Sequence, residues 1–425
     1  MATSIESPLP IDAARGDAPC RPARRVLVFS STFPSAVQPI HGVFVKERVR
    51  SVAGLPDREV RVVSPVPYFP PIRVFKRWYP LSQIPREEVV DGLEVVRPRY
   101  FLLPKVGRYF HPASMARAAY RSVSRLDREF GFDLIDAHFV YPDGVAAARL
   151  AARLGKPLVL TGRGEDILRF PQLPVLGRQI RGALAQATSL VALSDEIAEA
   201  MRACGAPAEK IHVIPNGVDC EKFRPLDRSE ARRRLGLPED RPVVLSVGYR
   251  LERKGFHVLV DAVAEIRRRH PDVLVVIVGG QARWGQDYSS VIEERIRVNG
   301  VSEHVRLIGP RPPEELPWWY GAADLFALLT NREGSPNVVL EALACGLPVV
   351  ATPIGGIPEV LSDERLGLLL GERSAGAAAS AVIEALSRSW DSAVIRQEAE
   401  RRSWRATSEQ VRDVFDRAVN PTSTR

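Results

Sequence analysis

The chain is predicted to be an α/β protein: two Rossmann-like, doubly wound parallel-sheet domains facing each other across a cleft. Three observations carry that prediction. At 425 residues it exceeds the roughly 100–200 residues of one ordinary domain. Apolar residues make up 45% and charged residues 26%, a globular composition that excludes disorder, collagen and coiled coil for the whole chain. Short β-rich runs alternate with helical patterns twice over, with a turn-rich stretch between the two series.

In chain order, residues 1–24 are dominated by Pro, Ala and Asp and lack the apolar core of a signal peptide, so a disordered leader is expected. Residues 25–30 read as a first strand, followed by a long loop and a helix over about 45–52. Further strands are expected at 60–63, 93–96, 134–137, 157–161, 189–193 and 211–214, with helices at 144–154 and 195–204. The stretch 215–240 is rich in turn residues and charge and reads as a linker, which gives a first domain over 25–220. The second series, 221–403, has strands at 243–247, 273–278, 305–308, 324–328, 348–351 and 367–370. Its helix from Gly255 puts Phe256, Leu259, Val260, Val263 and Ile266 on one face. A last helix, about 404–420, is expected to cross back to the first domain. In such sheets ligands bind at the carboxyl ends of strands, and here also in the cleft between domains.

The formal charge is +8, and its distribution is lopsided. Residues 1–220 carry 30 Lys+Arg against 22 Asp+Glu, and residues 221–425 carry 29 against 29. The two halves should therefore face different partners. Cys20, Cys204, Cys220 and Cys345 form no C-x-x-C pair, which argues against structural zinc or a disulfide framework. Residues 26–45 are uncharged over a membrane-length stretch, but Ser30, Ser31, Thr32, Gln38, His41 and two prolines rule out a span. A soluble cytoplasmic protein is expected, with any membrane contact peripheral.

The sharpest chemical segment runs from Asn331 to Gly346, directly after the strand at 324–328. Ser335 suits an N-cap, with Pro336 at the first helical position, where its missing N–H costs nothing. Open amides at such a helix start form a prepared anion site. Glu333 lies just before the cap, and Glu341 lies ~9 Å up the helix. One carboxylate can reach groups near the anion and the other something farther along, such as ribose hydroxyls. A well-capped core helix with two solvated glutamates accounts for the same pattern. Arg253 and Lys254 sit in a strand-to-helix turn, where the helix dipole disfavours a cation unless a diphosphate or other anion binds. A solvent-exposed basic turn is the bland alternative. In the first domain, Gly42 permits close backbone approach to a ligand, or simply makes a turn. His138 ends one strand, and Arg163 and Asp166 follow the next. No Walker A, G-x-G-x-x-G, G-x-S-x-G, D-x-D or H-E-x-x-H sequence is present, so metal-dependent phosphate chemistry, dehydrogenation and serine hydrolysis lose ground.

Taken together, these segments resemble glycosyltransferase family 4, retaining nucleotide-sugar-dependent enzymes of GT-B architecture. The resemblance covers about 25–417 and rests on Phe33-Pro-Ser with Gly42, His138, and Thr161-Gly-Arg-Gly-Glu-Asp-Ile167. It continues through Ile214-Pro-Asn-Gly-Val-Asp219, Val247-Gly248 with Arg253-Lys254-Gly255, the pair Glu333 and Glu341, and Gly355-Gly-Ile-Pro-Glu359. It implies that Arg253 and Lys254, with the backbone near Gly42, hold the donor diphosphate. Glu333 and the turn Gly334, Ser335, Pro336 and Asn337 would hold donor sugar and diphosphate, and Glu341 the ribose. His138 would sit beside the reacting sugar as a catalytic residue with Glu333, and Arg163 and Asp166 would lie toward the acceptor. It further implies retention of configuration, no cofactor and no metal. Two places depart from the pattern: Tyr249 and then Arg250 stand where many members have arginine first, and Arg163 stands where related enzymes often carry histidine.

The acceptor belongs to the first, basic half in this architecture. Residues 68–79 and 100–110 interleave aromatics with cations, which suits an anionic membrane surface. A lipid-linked or growing-polysaccharide acceptor is the expectation, at the inner face of the plasma membrane. A nucleotide-sugar 2-epimerase of the same architecture and a non-catalytic basic binding protein are the alternatives. No nucleic-acid recognition motif is present, and the sequence leaves base, sugar and oligomeric state open.

Overall fold

The computed structural model describes residues 24–76, 78–102, 107–281 and 287–420. Residues 1–23 of the expected leader, and Arg77 and residues 103–106 of the two aromatic-basic segments, lie outside the described residues.

The first unit is an eight-stranded sheet built from β1 (Arg25–Phe29), β2 (Glu59–Val63), β3 (Glu87–Val90), β4 (Leu93–Val96), β5 (Leu134–His138), β6 (Leu158–Gly162), β7 (Ser189–Ala192) and β8 (Ile211–Val213). Its order is β8-β7-β6-β5-β1-β2-β4-β3. Only the edge pair β3–β4 is antiparallel, so the rest needs helical crossovers and is covered on both faces. That is why β5, β6 and β7 are buried at every position.

The second unit is a six-stranded parallel sheet of β9 (Val243–Val247), β10 (Leu274–Val278), β11 (Val305–Ile308), β12 (Leu325–Leu328), β13 (Val349–Ala351) and β14 (Gly367–Leu369), in the order β11-β10-β9-β12-β13-β14. This is the 3-2-1-4-5-6 arrangement of a doubly wound sheet. The strand order reverses between β9 and β12 in this sheet and between β1 and β5 in the first. At these reversals the crossover helices leave to opposite faces, which opens a crevice at the carboxyl ends of the strands.

Five helices position the site: α1 (Val43–Ala53), α2 (Asp195–Ala203), α3 (Phe256–Arg269), α4 (Asn337–Ala344) and α5 (Trp404–Val419). Helix α5, last in the chain, packs on the first unit: Val411, Val414, Phe415 and Ala418 share one core with Val26, Val45 and Val49. Arg58 grips Asp416 through both carboxylate oxygens at 2.9 Å, and Ser51 Oγ donates to the Trp404 carbonyl at 2.9 Å. Among the described residues no helix is long and apolar enough to cross a membrane.

Candidate active site

Both topological reversals aim their loops into the space between the units. The turn after β9 carries Arg253 and Lys254, and the loop after β12 carries residues 331–336. From the first unit come the loop leading to Gly42 and the segments after β5 and β6. The two sheets thus bring together what lies far apart in sequence.

Lys254 closes a short 3₁₀ turn, and Gly255, in the left-handed region at φ 74°, caps α3 behind it. The lysine is 9% exposed, so it is not a surface cation. Its Nζ lies 2.6 Å from Glu333 Oε2, and this pair offsets the unfavourable position of a cation beside a helix start. Arg253 is only partly covered; its Nη1 donates to the Arg332 carbonyl at 3.3 Å.

Helix α4 starts later than the sequence suggests. Its N-cap is Pro336, whose ψ of 71° is not helical, and no side chain caps it. Ser335 is therefore not the cap: its hydroxyl accepts instead from the Asn216 amide at 3.2 Å. The amides of Asn337, Val339 and Leu340 bond to the carbonyls of Ser335 and Pro336, so fewer amides open to an anion than a serine-capped start would offer.

Glu341 lines a cleft cavity of about 980 Å³ together with Val43, Phe44, Lys222 and Asn337. Tyr320 donates its phenol hydrogen to Glu341 Oε2 at 2.8 Å. Burial pushes the Glu341 carboxyl up to about 7, against the opposing pull of Tyr320 and Lys222. One carboxylate oxygen is fixed by the phenol.

In the first unit, Gly42 adopts φ 77° as the N-cap of α1, and a Cβ there would stand 2.5 Å from the Thr32 carbonyl oxygen. Only glycine fits both demands. His138 is fully buried beneath Arg163, whose Nη2 lies 2.8 Å from His138 Nδ1. The other ring nitrogen faces Asp136 Oδ2 at 3.2 Å. Burial drives the His138 pKa down to about 4, so the imidazole is neutral and Nδ1 accepts from the guanidinium. Arg163 also lies over the rings of Phe44 and Phe139, at 5.2 and 5.9 Å. Asp166 is buried; its carboxylate accepts from the amides of Val140, Arg163 and Gly164 and shapes the loop that holds Arg163.

The two units touch across this site. A Cβ at Gly334 would overlap the Arg163 carbonyl oxygen. Arg332 pairs with Glu165 at 2.6 Å, and Glu359 accepts from the Asp195 amide at the start of α2 at 2.8 Å. Asn216, Asp136, Tyr320, Lys222 and Glu359 carry no assigned role in the sequence reading. For Asp136 a signal exists, since residues two apart on a strand share a face with His138. For Tyr320, within an aromatic run, none does. Among the described residues, no group of three or more His, Cys, Asp and Glu side chains forms a metal-ligand set.

The family model described as Glycosyl transferases group 1 matches residues 227–402, and that of Glycosyltransferase Family 4 matches residues 72–222. A Bacillus subtilis (strain 168) protein named for teichuronic acid biosynthesis as a glycosyltransferase is 29% identical over 365 residues, 84% of this chain and 88% of that one. A D-inositol 3-phosphate glycosyltransferase of Saccharomonospora viridis is 30% identical over 307 residues, 68% of this chain and 70% of that one. The similarity to the D-inositol 3-phosphate glycosyltransferase of Frankia alni is shorter, 34% over 257 residues and 62% of its length. Among solved structures, Anabaena HepE in complex with UDP superposes with a TM-score of 0.68 at 21% identity, covering 92% of this chain and 98% of that one. At that identity the likeness is one of fold.

Proposed function

The chain belongs to glycosyltransferase family 4, with the GT-B fold, and from that premise we propose that it transfers a sugar, retaining its anomeric configuration and needing no metal, from a nucleotide-diphosphate sugar. The acceptor in this reading is lipid-linked or a growing polysaccharide, and the reaction is of the hexosyltransferase type. The observation that carries it is the buried Lys254–Glu333 pair at the strand-order reversal of the second sheet. A cation and a carboxylate at one point offer a diphosphate and a sugar hydroxyl their complementary partners.

Breaking the anomeric C–O bond places negative charge on the leaving diphosphate and positive charge on the sugar. Lys254, with Arg253 and the backbone near Gly42, takes up the first charge. Glu333 is released from Lys254 as the diphosphate arrives and binds sugar hydroxyls, while Gly334, Ser335, Pro336 and Asn337 shape the turn around them. The free oxygen of Glu341 receives the ribose. The acceptor oxygen attacks from the face the diphosphate leaves, and a diphosphate oxygen takes its proton. His138 acts from below through Arg163, and Asp166 holds that arginine's loop on the acceptor side. Names of similar proteins, in teichuronic acid biosynthesis and with UDP bound, support a UDP-sugar and an envelope polysaccharide.

The cytoplasmic face of a membrane is the proposed location. The two aromatic-basic segments lie side by side, Tyr68 N donating to the Tyr100 carbonyl at 2.7 Å. Together they expose Tyr68, Val74, Phe75, Phe101 and Phe110 beside the cations Arg73, Lys76 and Arg108. Flotation with vesicles of anionic lipid is expected to carry the protein, and neutral vesicles to leave it behind; equal behaviour would remove the membrane from the proposal.

For the reaction, thermal shift with UDP-, GDP- and ADP-sugars should find one that raises Tm. Lys254→Ala and Glu333→Ala should then each lose at least about 100-fold in transfer with folding intact. Wild-type rates in both variants would reject the assignment.

A further inference from the structure

A continuous line of polar contacts crosses from the floor of the first unit into the donor helix of the second, and one linker residue joins its halves. Asp136 Oδ2 faces His138 Nε2 at 3.2 Å, and His138 Nδ1 meets Arg163 Nη2 at 2.8 Å. Arg163 Nη1 donates to Asn216 Oδ1 at 3.2 Å, and Asn216 Nδ2 donates to Asn337 Oδ1 at 2.9 Å. The Asn216 backbone amide donates to Ser335 Oγ at 3.2 Å. Every residue of this line but Asn337 is under 9% exposed. An amide side chain is suited to the joint, because it accepts from a guanidinium with one atom and donates to an amide oxygen with the other. Its neighbours are fixed too: Gly334 abuts the Arg163 carbonyl, and Phe44 and Phe139 flank the guanidinium.

We propose that Asn216 is a positioning residue that locks the turn at 335–337 to Arg163 and His138, so that the donor and acceptor sides of the cleft are held in one fixed register. Buried polar contacts in series act as a unit, so opening one end loosens the other. This inference rests on the transferase reading for its effect on turnover, but its structural part needs no substrate.

The test is amide hydrogen exchange on the ligand-free, full-length protein, followed in the segments 163–168 and 335–341. Asn216→Ala is expected to speed exchange at least fivefold in both segments and to leave 274–278 unchanged. Asn216→Asp still accepts from Arg163, and from the Asn337 amide once that group turns over; it should stay within twofold of wild type. Asn337→Ala breaks the line from the far side and keeps the test open if Asn216→Ala does not fold. It should speed exchange at 163–168 at least twofold. Loosening confined to one segment, or no rescue by aspartate, would overturn the proposal. With the nucleotide sugar that raises Tm, Asn216→Ala should lower kcat at least tenfold with donor KM within threefold; an unchanged kcat would overturn it as well. If no nucleotide sugar binds wild type, the transferase reading fails while hydrogen exchange still decides the relay.

Discussion

Glu341 illustrates how burial sets the charge of a carboxylate at a cost to the fold. Its folded pKa of about 7 stands above the ordinary value of 4.5, because burial disfavours the ionised form. The sign follows from proton binding: between those values the folded state holds a proton that the unfolded state has released. The protonated carboxyl's contribution to stability is therefore full below about pH 4.5 and lost as pH rises through about 7. Glu341→Gln should remove that loss. Melting curves at pH 5 and pH 8 are expected to separate by at least about 3 °C more in wild type than in the variant. His138 has the opposite sign: its depressed pKa stabilises above the ordinary 6.5, and the benefit fades as pH falls toward about 4. At this scale the sequence exposed the conflict at Lys254, a cation at a helix start, but not its resolution by Glu333, which lies 79 positions away.

Among elements, the buried strands were legible because a parallel sheet covered on both faces demands near-continuous apolar runs, and in β9 and β10 only Ser246 is polar. The edge strand β3 was not, since Glu-Glu-Val-Val lacks the apolar–polar alternation that marks a strand. The helix His111–Glu129 also escaped reading. Its buried stripe of Met115, Ala116, Ala119, Val123 and Leu126 is short of large side chains amid many arginines. The start of α4 misled for a different reason. Ser335 followed by Pro336 has the local form of a cap, yet Asn216 in the linker claims the hydroxyl. The same turn predicts a steric result. Gly334→Ala should leave Tm within about 2 °C, because the clash lies between units and not within either core. Transfer should fall at least tenfold, since the added methyl holds the Arg163 loop and the donor turn apart; assays of rate beside calorimetry check both halves.

For the whole molecule, the last helix decides how the chain closes on itself. Phe415 is fully buried against the first sheet although it is separated from that sheet in sequence by the entire second unit. Phe415→Ala should therefore cost about 3–5 kcal/mol, read as a lower urea midpoint, while the proposed nucleotide binding by the second unit persists. The lopsided charge acquires a place at this scale: the basic half holds the exposed aromatic surface, and the neutral half holds the buried Lys254–Glu333 and Glu341 sites. Short stretches of sequence were enough for the α/β class, the two series of parallel strands and the segments at their carboxyl ends. These follow from local rules, namely apolar runs, turn residues and motif spacing, which each short stretch states for itself. Tertiary structure alone decided which side chains meet: Lys254 with Glu333, Tyr320 with Glu341, and Arg163 with His138 and Asn216. Such pairings depend on strand order, helix return and the approach of two units. Those are global packing outcomes, in which residues distant along the chain compete for the same few partners.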